Sequence, residues 1–501
     1  MNEIDSPIIK LDEETSPSSE TSPSKDTHFF QIDFLKAIMI FLVIFDHMVS
    51  WNIKNDLGVA LWERISIPVF LVILGFNMGH SFRRHGASSL KQVYSWRYFK
   101  SKILRYILPF AILYAVSTFI GLFMYGFDFE LMYNNQYINH NHGFINLFYL
   151  YMPFWGPGNW FIPVLFQSIL IVPFLYWLFT RSRVLAPILT LILTFVVEII
   201  MQLIVFFAQI GSPYSSWEEV YLYTMFASSL PYYLSAVGLG LWLSLGYKIT
   251  KKRNIRVWVV IVVLLPISLW YIIAYQFFDY RIIIGGERFL RGDYTLLVFP
   301  YSAFLVLLAL NLLPKTSKSW ISRKISVISN STYHILLTQI LGYGMITAWW
   351  GTHYLMDAPF NPYDLIDLVA VWILFVWFGV GWYKIDTQKD IFRRILYYLN
   401  FFILFACTLL FVFWLQGFWI PISLIVIMCY AIATFIVHLT IKRPLPKLIV
   451  LVWTAFLLCS FIVMILQVYL LPPSYDWMAY VSMLIFFIYA VYFTRYNRYI
   501  E

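Results

Sequence analysis

The sequence predicts an all-α protein, a polytopic integral membrane helix bundle of about 14 transmembrane helices. Three observations lead there. Hydrophobic residues make up 61% of the 501 residues and charged residues only 12%, roughly half the charged share with which a soluble chain covers its surface. From Phe29 onward the apolar residues fall into runs of roughly 18–25, each long enough to cross a bilayer as a helix. The basic residues between those runs alternate in density along the chain. The composition excludes a soluble enzyme, a disordered protein and a disulfide-stapled secreted domain. The three cysteines, Cys407, Cys429 and Cys459, all lie in apolar runs and give no disulfide framework.

Residues 1–28 are rich in Ser, Thr, Pro and acidic residues and nearly free of aromatics, which predicts a disordered cytoplasmic tail. They lack the basic and apolar regions of a cleavable signal peptide. The apolar runs then follow at 32–51, 59–80, 103–125, 159–180, 184–210, 224–246, 257–277, 295–313, 325–349, 364–384, 398–415, 419–440, 448–470 and 477–494. None shows the period-two alternation of a barrel strand. With the N-terminus in the cytoplasm, 26 Lys and Arg fall in the inside loops and tail. Only four, Lys54, Arg281, Arg288 and Arg291, fall outside. By the positive-inside rule this predicts a multi-pass cell-membrane protein with both termini cytoplasmic. It also accounts for the net charge of +9 without a nucleic-acid partner. Two outside loops are long, 127–158 and 278–294, and both are aromatic and polar. The others are short, so any chemistry belongs within the bundle or at its rim.

Ionisable groups at bilayer depth are costly and usually face a protein interior or a water-filled cavity. In the first helix Lys36 and His47 are eleven residues apart, about 20° from a whole number of turns and about 16 Å along the axis. Asp33, Lys36, Ile40, Val43 and His47 thus form one stripe, with a cation near the cytosolic end and an imidazole in the outer half. Asp46 lies one position off it. A neutral imidazole can take a proton at physiological pH, as a general base must; the competing role is a structural His bonded to a neighbouring helix. Glu63 and Arg64 stand at the outer rim of the second helix, as interhelical partners or interfacial anchors. Gly75 predicts close helix packing.

At the cytosolic start of the third helix Lys102 and Arg105 are one turn apart and share a face. Two cations there suit phosphates arriving from the cytosol. Ordinary positive-inside flanking explains Lys102 well and Arg105 less well. Glu198 and Gln202 are spaced i, i+4 in the middle of the fifth helix, so Glu198 is neutral or paired, for a proton path or for an interhelical hydrogen bond. The ninth helix carries a polar run from Ser329 through His334 to Gln339. The last four helices hold almost no ionisable group except His438 and are expected to be accessory. A phosphate-binding Gly-rich loop and an HExxH motif are absent. His140 and His142 fall short of a metal site, so no metal is expected.

Four segments together resemble the membrane acyltransferase 3 family. Ile32-Asp33-Phe34-Leu35-Lys36 through Asp46-His47 is similar to the family's first helix, where an arginine precedes a histidine by eleven positions. Pro68-Val69-Phe70 through Leu74-Gly75-Phe76 is similar to its second helix, which usually ends Ser-Gly-Phe. Lys102-Ile103-Leu104-Arg105 with Pro109 resembles the Arg-x-x-Arg opening of the third. Thr332-Tyr333-His334-Ile335-Leu336-Leu337 through Gln339 resembles a Ser-Tyr-x-Ile-Tyr-Leu-x-His segment, and Asn159-Trp160-Phe161 fits the start of the fourth helix. The resemblance covers residues 29–390 as a ten-helix core and leaves 391–501 as accessory helices.

It implies transfer of an acyl group, acetyl above all, from cytosolic acyl-CoA to a hydroxyl of a carbohydrate or lipid-linked glycan, with no tightly bound cofactor. His47 would be the base, with Asp46 beside it. Lys36, Lys102 and Arg105 would bind the acyl-CoA. Glu63, Arg64, Trp160, His334 and Gln339 would supply acceptor or interior polar contacts. Membrane lipid is the remaining partner. Lys replaces Arg at 36 and 102, which loses the planar two-pronged grip on phosphate. Leu74 replaces Ser, and Gln339 replaces a His and so cannot act as a base. Two other readings compete with an O-acyltransferase. A transporter or flippase for a lipid-linked sugar or small anion would use the same interior charges. A catalytically degenerate scaffold would suit the substitutions at 74 and 339.

Overall fold

The computed structural model describes residues 29–49, 54, 57–62, 64–124, 127–129, 158–182, 184–209, 228–246, 255–278, 280, 282–284, 287–289, 294–350, 362–392, 394–395, 397–399 and 401–402. Ten long helices lie among them. They are α1 (Phe30–Met48), α2 (Ser66–Arg84), α3 (Trp96–Lys102 and Leu108–Met124, joined through a π-helical turn at Ile103–Ile107) and α4 (Phe161–Arg181). Then come α5 (Leu185–Gln209), α6 (Leu234–Gly246), α7 (Ile255–Phe277), α8 (Phe299–Leu312), α9 (Trp320–Trp350) and α10 (Pro362–Asp386). Each falls on one of the first ten apolar runs. Beyond its first few residues, the chain from 398 to 494, where four more spans are expected, lies outside the described residues.

Among the described residues, two stretches are by length and hydropathy long and apolar enough to cross a membrane, Leu90–Phe119 and Phe161–Arg181; shorter apolar helices occupy 185–201, 230–245, 262–277 and 299–312. Several ends differ from the apolar runs for local reasons. α2 begins at Ser66 because the chain first makes a 3-10 turn at Val59–Leu61, entered through Gly58 at φ 59°. A 3-10 turn at Leu230–Tyr233, with Pro231 near its start, precedes α6. α9 begins at Trp320 and runs for 31 residues, about 46 Å at 1.5 Å per residue against a hydrocarbon core of about 30 Å. Its first turn leaves Trp320 and Ile321 exposed.

One amendment to the all-α expectation is a two-stranded antiparallel ribbon in the 278–294 loop, pairing Ile282–Ile284 with Glu287–Phe289. Three successive β-branched residues followed by Gly285-Gly286 carry the composition of a two-residue hairpin. The ribbon packs Ile282 against Tyr271, Ile272 and Val298 and leaves the helix order unchanged.

Two features set the core. α2 and α6 touch backbone to backbone: a Cβ at Gly75 would fall on the carbonyl oxygen of Val237, and one at Gly240 on that of Val72. Small residues at those positions let the axes approach, as in membrane helix pairs generally. α1 is strapped to α8, α9 and α10 by polar contacts along its length. Gln31 Nε2 donates to the carbonyls of Leu310 and Leu313 at 3.0 and 2.8 Å. Asp33 accepts from the hydroxyls of Ser329 and Ser326, each at 2.7 Å. Trp372 Nε1 donates to Phe41 O at 3.0 Å and the Tyr343 hydroxyl to Ile44 O at 3.2 Å. Buried polar groups need such partners, and these fix the rotation of α1, so its stripe faces inward.

Candidate functional site

The inward stripe of α1 lines a cavity with about 130 Å³ of water-accessible space, walled by α1, α2, α3, α4, α9 and α10. Lys36, Ile40 and Val43 are on its wall in the order that the helical spacing gives. Its polar end holds Lys36, Asn77, Arg105, Tyr106, Asn330 and His334. Its apolar end holds Val43, Ile67, Phe161 and Leu336 among others, and Leu74 lies on the wall as well.

At the polar end Lys36 Nζ donates to Ser329 O at 2.5 Å, leaving two of its N–H bonds for other acceptors. Arg105 lies in the π-helical turn of α3, where Leu108 N donates to Ile103 O, five residues back. Pro109 explains the turn. In a regular helix its ring would press on the carbonyl of Arg105, and it has no N–H to donate; widening the preceding turn relieves both. Such turns recur at functional sites. Arg105 is on the cavity wall, whereas Lys102 is not among the wall residues and places its Nζ 5.6 Å from both the Tyr98 and Tyr106 ring centres. Tyr106 also carries the Arg105 guanidinium, 5.5 Å from its ring centre. The Tyr333 hydroxyl, from α9, donates to Tyr106 O at 2.8 Å and fixes that turn.

His334 lies on the same wall. Its Nε2 is 2.6 Å from Asp386 Oδ2, across from α9 to α10. Trp382 and Tyr383 pack edge-on against the ring at 5.5 Å each. Sequence reasoning singled out His334 but not Asp386, Tyr106, Asn77 or Asn330. Asp386 sits between Lys384 and Lys389 and reads in the sequence as one more loop charge.

His47 stands one turn beyond Val43, near the C-terminal end of α1. Its Nδ1 is 3.6 Å from Asp46 Oδ2, a charge-contact distance rather than a hydrogen bond. Asp46 Oδ1 accepts from Lys54 Nζ at 2.8 Å, and the same ammonium donates to the Asp46 carbonyl at 2.6 Å. Arg64, 7% exposed, lies within electrostatic reach of Asp46. Tyr343 meets the His47 ring edge-on at 6.0 Å. The chain approaches from the other side at Gly158, with φ +91°. A Cβ there would lie 3.8 Å from His47 Nε2 and 3.5 Å from Leu336 Cδ1. Leu336 belongs to the cavity wall, so Gly158 borders both the imidazole and the apolar end of the cavity.

The remaining sequence candidates separate. Trp160 joins an aromatic group with Tyr233 and Tyr294, at 5.7 and 5.5 Å. Gln339 is fully buried, and both polar atoms of its amide, like those of Asn159, have no hydrogen-bond partner among the described residues. Glu198 is buried and accepts from Leu296 N at 2.8 Å, so it anchors the segment before α8. Glu63, His140 and His142 lie outside the described residues, and so does the side chain of Gln202. Among the described residues, no group of three or more His, Cys, Asp or Glu is placed to hold a metal ion.

A family model described as an acyltransferase domain matches residues 29–382, from the start of α1 into the last turns of α10. Neither the curated proteins nor the solved structures contain a match to this chain. The matched region takes in every cavity residue but Tyr383, both His–Asp pairs except Asp386, and well over half of the 501 residues; the chain belongs to the acyltransferase 3 family.

Proposed function

We propose that this membrane acyltransferase moves an acyl group, acetyl in the first instance, from cytosolic acyl-CoA to a hydroxyl of a carbohydrate or lipid-linked glycan. It would do so as a multi-pass protein of the cell membrane with both termini cytoplasmic. One observation carries the reading. A single face of α1 holds Lys36 at the polar end of the cavity, lines that cavity with Ile40 and Val43, and ends at His47 one turn further on. Lys36 and Arg105 supply the charge for the phosphates of the donor nucleotide, which stays at the mouth. The narrow apolar passage takes the pantetheine arm. The thioester then arrives beside the imidazole.

Chemically, His47 Nε2 takes the proton of the acceptor hydroxyl as the oxygen attacks the thioester carbonyl carbon. The C–O bond forms, the C–S bond breaks, and coenzyme A leaves as a thiolate that receives a proton. A base placed this way contributes roughly 10²–10⁴-fold in rate. His334 offers a second base, since Asp386 holds it at 2.6 Å on the same cavity. Its place beside Lys36 and Arg105 puts it at the phosphate end rather than at the acyl end. The test is incubation of membranes carrying the protein with radiolabelled acetyl-CoA. The expected result is label in a glycan or lipid fraction that is absent from membranes without the protein. No labelled acceptor with any short-chain acyl-CoA would refute the reading.

A further inference from the structure

Lys54 is one of the few basic residues expected on the outer side, yet it is 3% exposed. Its ammonium makes two contacts with one residue, at 2.8 Å to the Asp46 carboxylate and 2.6 Å to the Asp46 carbonyl. That carbonyl lies in the last turn of α1, where the helix cannot satisfy its own acceptors and a cation is favoured. A carboxylate gripped at Oδ1 by an ammonium that also grips its own backbone has little rotational freedom. Its second oxygen, Oδ2, is then presented to Nδ1 of His47 at 3.6 Å. Catalytic contacts of this kind are often long before substrate binds and tighten in the complex.

We infer that Lys54 is a positioning residue: by holding Asp46 at two points, it keeps the imidazole proton on Nδ1 and leaves Nε2 of His47 free for the acceptor. Only the kinetic part of this inference rests on the proposed transfer reaction. Among the described residues, the charged groups around the Asp46–His47 pair are Lys54, which acts on both, and Arg64, which acts on Asp46, with the Tyr343 hydroxyl turned to Ile44 O. Lys54 and Arg64 also engage other groups, so substitution of Lys54 changes more than one contact. The variants are chosen to separate these effects.

The test has two arms on the full-length protein in lipid nanodiscs. In the first, ¹⁵N-histidine NMR reads which ring nitrogen of His47 carries the proton, with the His47 signal identified by its loss in His47→Asn. The wild type and Lys54→Arg should show Nδ1 protonated, and Lys54→Gln should show a mixture of tautomers. An unchanged tautomer in Lys54→Gln overturns the inference.

In the second arm, Lys54→Gln should lower kcat by about tenfold or more, the scale on which removing an orienting partner acts at metal-bound histidines. The KM for acetyl-CoA should stay within about twofold on the same basis. Lys54→Arg should restore most of kcat, and adding Asp46→Asn to Lys54→Gln should cost nothing further. Losses that add, or that fall on KM, mean that Lys54 only caps the helix. Absence of any transfer by the wild type would refute the reaction and leave the NMR arm to decide the positioning role.

Discussion

Arg105→Ala is the most informative change at the donor end, because Arg105 lines the cavity and Lys102 is not among its wall residues. Both residues belong to one short motif, but only Arg105 is on the cavity wall, while the Lys102 ammonium sits over the rings of Tyr98 and Tyr106. Hydrogen bonds to charged groups contribute about 1.5–3 kcal/mol each. Arg105 is exposed, so solvent screening places it toward the lower figure, with Lys36 still holding the ligand from α1. Loss of about 1.5 kcal/mol is roughly a tenfold rise in Kd. Arg105→Ala should therefore weaken acetyl-CoA binding by about 10-fold, and the loss should shrink as salt is raised. Lys102→Ala should cost about fivefold or less, since what it removes is a cation–π contact of roughly 0.5–1 kcal/mol. Isothermal titration of acetyl-CoA into nanodisc-embedded protein measures both. Equal losses in the two variants, or unchanged affinity in Arg105→Ala, would refute the assignment of the donor end.

Three further outcomes are expected. Gly75→Ala puts a methyl group on the Val237 carbonyl and forces α2 from α6; it should cost about 1–3 kcal/mol, seen as a lower thermal unfolding midpoint in detergent, and an unchanged midpoint would contradict the packing. His334→Phe leaves the Asp386 carboxylate without its 2.6 Å partner and should destabilise by about 1–3 kcal/mol, with less effect on acetyl-CoA affinity than Arg105→Ala; a larger effect would move the phosphate site toward His334. Reporter fusions at Asn141 and Asp357 should read outside, and those at Lys251 and Arg498 inside. An outside reading at residue 498 contradicts the even number of spans.

The stripe on α1 was legible because helical spacing is rigid. Residues at 36, 40 and 43 must share a face, and a Lys on a long apolar face has few reasons to be there except to line a cavity. Gly75 was legible for a similar reason, since a small residue within an apolar helix marks a close approach. The spacing of Lys102 and Arg105 was legible as well, since both cations reach the Tyr106 ring. That only Arg105 lines the cavity was not, because Pro109 converts the turn before it to i→i+5 geometry. The pairs His334–Asp386 and Asp46–Lys54 were not legible for another reason. The first joins two helices 52 positions apart. The second brings Lys54, from beyond the end of α1, back on the helix end, and neither follows from periodicity. Lys54 counted only as a topology signal, although one Lys close after an Asp-His pair was its available clue. The short ribbon at 282–289 was visible as Ile-Ile-Ile-Gly-Gly but was absorbed into a loop defined by its polarity.

The central claim, that His47 takes the acceptor proton, is tested most directly by the initial rate of label transfer from acetyl-CoA in His47→Gln, compared with wild type at matched protein level and saturating donor. An amide can keep a hydrogen bond but cannot accept the proton. The account predicts a fall of roughly 10²–10⁴-fold. A rate near that of wild type would show that the imidazole is structural and would contradict the account.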